Sequence, residues 1–133
     1  MEIFNLIVLG LSGLLLTFAG SNRLFRPIKS LCLTGFAEKH GSAPEKDADL
    51  YSEMRGAGTL TLFSGIAILA GTVIPEFRLT SFVVGIVIFL GYAIGRSFSI
   101  GTDGKPSKDT LGGLYSEVLF AALHIICLVM LLI

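Results

Sequence analysis

Four ionisable residues stand out within or at the edges of long apolar stretches: Arg55, Arg96, Glu117 and His124. Charged groups are costly in a membrane, and where they occur they often mark functional sites. Two guanidiniums and a carboxylate at one depth suit an anionic or quinone-like head group, because the planar arginine fork binds pairs of oxygen atoms. The alternative is structural. Glu117 then pairs with Arg96 or Arg55 to hold helices together, and the remaining arginine extends to lipid phosphates.

Helical spacing places further polar residues beside this cluster. Glu117 and His124 are seven residues apart and share one helix face, and Tyr92 lies four residues before Arg96. Asp103 follows in the segment GTDGKP, where it either joins the cluster or is an ordinary turn residue. His124 has no second His, Cys or carboxylate at ligand spacing, so we predict no metal site. We favour a hydrogen-bonded packing histidine over a proton relay, and we assign no catalytic residue.

The elements that carry these residues are four apolar stretches, at about residues 3–21, 54–75, 79–100 and 111–133. Each is long enough to cross a bilayer, since about 20 helical residues span about 30 Å of hydrocarbon. They lack the alternation of barrel strands, and only helices or closed barrels satisfy their own backbone in lipid. The sequence therefore predicts an all-α integral membrane four-helix bundle of antiparallel transmembrane helices, with one domain over residues 1–133.

Composition agrees with a membrane protein. Hydrophobic residues make up 53% of the chain and charged residues only 15%, against about 25% charged residues in soluble domains. Basic and acidic residues are equal at ten each, so no bulk charge favours nucleic acid as a partner. The two cysteines, Cys32 and Cys127, fall in opposite halves of the predicted bundle, so we expect free thiols.

The basic residues are distributed unevenly between the two sides of the membrane. Nine of the ten Lys and Arg residues lie in or beside the first and third connections, and Arg78 is the exception. The positive-inside rule then places both basic connections in the cytoplasm and both termini outside. With this threading, Arg55, Arg96 and Glu117 all lie in the cytoplasmic half of the bilayer.

The connections and the small residues predict how the helices pack. Residues 23–36 carry apolar side chains near helical spacing, which indicates either a short helix in the membrane interface or an irregular loop covering the bundle. Pro75 marks a tight hairpin between the second and third spans. Small residues indicate contact faces, because they allow close helix approach in lipid. These faces are Gly91 with Gly95, Gly112 with Ser116, and Ala57 with Thr61 and Gly65.

Three motifs carry a family resemblance: EMRGAG at residues 53–58, GRSFSIGTDGKP at residues 95–106, and Glu117 in the fourth span. In these the chain resembles a family of small four-helix bacterial membrane proteins in the DoxX-like clan, classed as domain of unknown function family 4345. The resemblance implies that Arg55, Arg96, Asp103 and Glu117 belong to one shared feature. It also implies a bacterial inner-membrane location, but it supplies no activity. The clan includes quinone-linked oxidoreductase subunits and assembly factors, which is support by association only.

These observations favour a non-catalytic multi-pass membrane protein that binds a lipid or quinone-like ligand, or that serves as an accessory subunit of a membrane complex. The candidate polar cluster comprises Arg55, Arg96, Glu117, Asp103, Tyr92 and His124. One alternative is a small membrane redox subunit or isomerase in which Glu117 and His124 move protons. Another is an oligomeric small-solute transporter. We predict no cofactor apart from a bound lipid or quinone. The expected partners are the lipid bilayer and either further copies of the chain or a larger membrane complex.

Overall fold

The computed structural model describes residues 2–30, 36–37, 40–41 and 47–133 and contains four long helices. These are α1 (Glu2–Phe25), α2 (Ala48–Val73), α3 (Arg78–Asp103) and α4 (Lys108–Leu132). Within the described residues all regular structure is helical, with short 3-10 turns at Pro27–Lys29 and Pro75–Phe77. All four helices are long and apolar enough to cross a membrane. The predicted all-α fold is confirmed, and it fits an integral membrane protein.

Polar caps and prolines set the ends of the helices. The side chain of Asp47 accepts a hydrogen bond from the Leu50 amide at 2.9 Å, so α2 begins six residues before the predicted span. Ser107 caps α4 in the same way. Pro75 opens the turn between α2 and α3, and this forms the tight hairpin that the sequence predicts.

The first connection is only partly described. Residues 23–25 belong to α1, which ends at Phe25, and Pro27 then opens a single 3-10 turn. A separate interfacial α-helix therefore does not begin at Arg23. The predicted segment from residue 31 to 35, including Cys32, lies outside the described residues.

Helices α1 and α2 pack with their backbones in close contact. A Cβ atom added at Gly20 would overlap the backbone of Leu62, and one added at Gly65 would lie 2.6 Å from the Thr17 amide nitrogen. Only glycine permits this approach, which brings α1 and α2 together along most of their length. The predicted contact face at Gly65 is confirmed.

Helices α3 and α4 form a second closely packed pair, and aromatic side chains fill their interface. Phe89 stacks on Phe120 with ring centroids 5.1 Å apart, and Phe82 and Phe89 are fully buried. The prediction that Gly91, Gly95 and Gly112 mark helix contacts is wrong, because a Cβ atom at each would meet nothing within 4 Å. The bulky residues of α3 face α4 instead, and this leaves its glycine stripe open.

Candidate functional site

An ion pair joins α3 to α4 near one end of the bundle. Arg96 Nε lies 3.0 Å from Glu117 Oε1, and the two side chains are only 19% and 11% exposed. Arg96 Nη1 also donates to the Thr110 carbonyl oxygen at 3.3 Å. Gly113 leaves room for the guanidinium, since a Cβ atom there would lie 3.2 Å from Nη1. The second carboxylate oxygen of Glu117 is buried without a hydrogen-bond partner among the described residues.

Tyr92 connects this ion pair to the other two helices. Its hydroxyl accepts a hydrogen bond from Arg23 Nη1 at 2.6 Å and lies 2.9 Å from Thr61 Oγ1. Thr61 donates its own proton to the Ala57 carbonyl oxygen, so Tyr92 is the donor to Thr61. The Cζ atoms of Arg23 and Arg96 lie 5.4 and 5.8 Å from the tyrosine ring centroid. Both guanidiniums are within cation–π range of the ring.

Arg23 lines the candidate site and was not among the predicted site residues. The predicted first span ends at residue 21, which assigns Arg23 to the first connection, but α1 continues to Phe25. Arg23 therefore lies on the inward face of a helix, three residues after the buried Gly20. The helical spacing of Leu16, Gly20 and Arg23 is the signal that could have identified it.

The expectation that Arg55 meets Arg96 and Glu117 is wrong. Arg55 is exposed, and its Nη1 donates to the Leu24 carbonyl oxygen at the end of α1 at 2.7 Å. It follows the buried Met54 by one residue, a rotation of about 100° that directs it away from the cluster. Asp103 is also separate from the cluster. It is exposed at the end of α3, where it accepts a hydrogen bond from Ser99 at 2.8 Å.

His124 lies deeper in the bundle and does not reach the ion pair. It is seven residues from Glu117, or about 10 Å along the axis of α4. The ring is fully buried, with Nδ1 2.8 Å from the Phe120 carbonyl oxygen and Nε2 3.2 Å from Ser12 Oγ. A Cβ atom at Gly85 would overlap the ring. These contacts link α1, α3 and α4, and the described residues offer no group of three His, Cys, Asp or Glu for a metal.

A groove of about 970 Å³ lies between α2 and α3, where the two helix pairs diverge. Its walls are apolar and include Leu60, Val83, Val87 and Ile88. Gly91 and Gly95 also line it, and their missing side chains widen it.

The polar end of the groove is formed by Arg23, Tyr92 and Arg96, with the exposed Glu53 at its rim. Tyr92 and Arg96 are thus predicted cluster residues that line the groove. Glu117 supports Arg96 through the ion pair without lining the groove itself. The arrangement offers an apolar surface that ends in hydrogen-bond donors and positive charge.

The chain belongs to the family described as Domain of unknown function (DUF4345), whose model matches residues 4–128. The matched range covers α2 and α3 in full and most of α1 and α4. No curated protein matches the chain, and no solved structure matches it.

Proposed function

We propose that this family member binds a membrane-dissolved amphiphile, a lipid or a quinone, in the groove between α2 and α3. The head of the ligand lies at Arg23, Tyr92 and Arg96, and its tail lies along the apolar walls. The observation that carries the proposal is the joining of these two surfaces in one groove. Ligand sites are typically apolar cavities with a few convergent polar groups.

The size of the groove supports an elongated ligand. Its volume of about 970 Å³ lies at the upper end of the roughly 300–1,000 Å³ range for ligand sites. Its lining runs on α3 from Val83 to Ser99, sixteen residues along the helix. That distance is about 24 Å at 1.5 Å per residue, which exceeds the roughly 15 Å of one leaflet's hydrocarbon. A single lipid tail therefore has room to lie fully against the protein.

The proposed membrane setting follows from the distribution of basic residues. With both basic connections in the cytoplasm and both termini outside, the polar end of the groove lies in the cytoplasmic half of the membrane. The ligand then enters sideways from the cytoplasmic leaflet of a bacterial inner membrane. Membership of the DoxX-like clan would favour a quinone among the candidate ligands, by association with quinone-linked relatives.

Native mass spectrometry of the protein, purified in mild detergent, tests this function. We expect the wild type to retain a bound lipid or quinone and Gly91→Leu to lose it, because the new side chain would project into the groove next to Tyr92. Gly112→Leu is the matched control, since Gly112 is also an exposed helical glycine with open space beside it but lies on α4 outside the groove.

Equal retention by the wild type and Gly91→Leu would contradict the proposal. So would a wild type that binds no lipid or quinone after incubation with both. A groove occupied only by a helix of a second copy or of another protein would contradict it as well.

A further inference from the structure

We propose that the head group bound in this groove is a zwitterionic phosphodiester, as in an ethanolamine phospholipid. Its phosphate lies beside Arg23 and its ammonium group points toward Glu53. This inference rests on the proposed function and names the ligand class that the groove takes. It is argued from the charges around the polar end of the groove.

Arg23 is the guanidinium available to neutralise a ligand. Arg96 is paired with Glu117 at 3.0 Å. No carboxylate of the described residues lies within 4.0 Å of the Arg23 guanidinium. Its hydrogen-bond partner is the neutral hydroxyl of Tyr92. Glu117 also attracts Arg23 electrostatically, but its carboxylate already pairs with Arg96. Arg23 is therefore the guanidinium at the polar end that is not in direct contact with a carboxylate of the described residues.

The geometry of the polar end favours a phosphodiester over a quinone. A phosphodiester presents two non-bridging oxygens that share one negative charge, and these match the planar fork of an arginine. A quinone carbonyl presents neutral oxygen and leaves the charge of Arg23 uncompensated. Tyr92 does not supply a further donor, because its proton is used in the bond to Thr61. Recognition at this end therefore depends on the remaining N–H groups of the two guanidiniums, of which Arg23 is the one without a carboxylate partner among the described residues.

Glu53 adds a preference for an ammonium group. It lines the same groove but is exposed, which places it at the water-facing rim near the start of α2. The charged groups at or beside the polar end are then two guanidiniums, Arg23 and Arg96, and two carboxylates, Glu53 and Glu117. These four charges sum to zero, so a ligand with separated charges and no net charge leaves the polar end neutral. An ammonium near Glu53 gains an attraction that an uncharged glycerol head group lacks.

Competition measured by native mass spectrometry tests the head group, using lipids with identical acyl chains. The probes are an ethanolamine phospholipid, a glycerol phospholipid, diacylglycerol, which lacks the phosphate, and a long-chain quinone. We expect the wild type to prefer the ethanolamine phospholipid over diacylglycerol and quinone by about tenfold or more. The reason is that only the phosphate forms hydrogen bonds in which both partners are charged. Its preference over the glycerol phospholipid should be about two- to fivefold, because Glu53 is exposed.

Three variants separate the contributions. Arg23→Gln should abolish the preference for phosphodiesters over diacylglycerol. Glu53→Gln should abolish only the preference for ethanolamine over glycerol. Lys108→Gln should change neither, because Lys108 is an exposed cation at the same end of the bundle outside the groove. If Arg23→Gln fails to fold, Arg23→Lys keeps the charge but loses the fork, and an intermediate preference is expected.

The outcomes distinguish this inference from the proposed function. If the wild type binds quinone or diacylglycerol as strongly as the ethanolamine phospholipid, and Gly91→Leu abolishes that binding, the head-group inference is overturned while the groove remains a site. Unchanged lipid selectivity in Arg23→Gln would also overturn it. If Gly91→Leu affects the binding of none of the four probes, the proposed function itself fails.

Discussion

At the scale of single residues, the ion pair between Arg96 and Glu117 is the feature on which the polar end depends. Its two side chains are largely withdrawn from solvent, and one oxygen of Glu117 has no hydrogen-bond partner within the described chain. A buried pair adds little net stability over two apolar side chains, but removing one member leaves a charge without compensation. The pair therefore fixes the position of Arg96 beside Tyr92 at the end of the groove.

We predict that Arg96→Leu and Glu117→Leu each lower the free energy of unfolding by about 3 kcal/mol, the cost of stranding one buried charge. The double variant, Arg96→Leu with Glu117→Leu, should recover most of that loss because no charge remains. Thermal unfolding in detergent micelles measures all three variants. Losses that simply add in the double variant would show that the two side chains act independently.

Residue types identified part of this site. An arginine and a glutamate in apolar stretches, at depths that antiparallel threading makes equal, pointed to Arg96 and Glu117, and Tyr92 followed from its spacing. Arg55 was wrongly included. It follows the buried Met54 by one residue on α2, so its side chain points away from the interior. Arg23 was missed because hydropathy ends a span before its polar last turn, although the helix continues.

At the scale of elements, glycine has two opposite roles in this bundle. Gly13 and Gly20 of α1 meet Gly58 and Gly65 of α2 closely enough that a side chain would overlap the facing helix. Gly91 and Gly95 meet nothing and instead open the groove. The sequence alone does not separate these roles, because a small residue shows that space is needed but not what occupies it.

We predict that Gly20→Ala destabilises the protein by about 1–3 kcal/mol, as expected for overpacking a tight contact. The added methyl group would meet the backbone of Gly58 and Leu62, which cannot move aside as a flexible side chain can. The matched control is Gly10→Ala on the same helix, where nothing lies within 4 Å. Thermal unfolding of both variants measures the effect. A control as unstable as Gly20→Ala would contradict the assignment, because alanine favours a helix over glycine and Gly10 has no close contact to lose.

The helices themselves were predictable because the physics of lipid demands long apolar segments whose backbone is satisfied internally. Their exact ends were not, since those depend on single caps such as Asp47 and Ser107 that extend the helices into polar sequence. The hairpin at Pro75 was predictable from a single residue, because proline constrains both a turn and the start of the next helix.

At the scale of the whole molecule, the protein consists of two closely packed helix pairs that leave a groove between them. Helices α1 and α2 form one pair and α3 and α4 the other, and the buried contact of Ser12 with His124 joins the two pairs. Where α2 and α3 diverge, the groove opens at the surface of the bundle. No local sequence pattern encodes this divergence, because it depends on how the two pairs are placed relative to each other.

Photo-cross-linking tests the occupied groove most directly, using an ethanolamine phospholipid that carries a diazirine on its acyl chain. The protein in liposomes is irradiated, and the adducts are mapped by mass spectrometry. Leu60 and Val87 in the groove are 64% and 68% exposed, and the lipid-facing controls Leu11 on α1 and Leu119 on α4 are 59% and 57% exposed. If a lipid resides in the groove, adducts should concentrate severalfold at Leu60 and Val87 and should fall to the control level in Gly91→Leu. Adducts spread equally over all four positions in the wild type would show that the groove holds no ligand of this class.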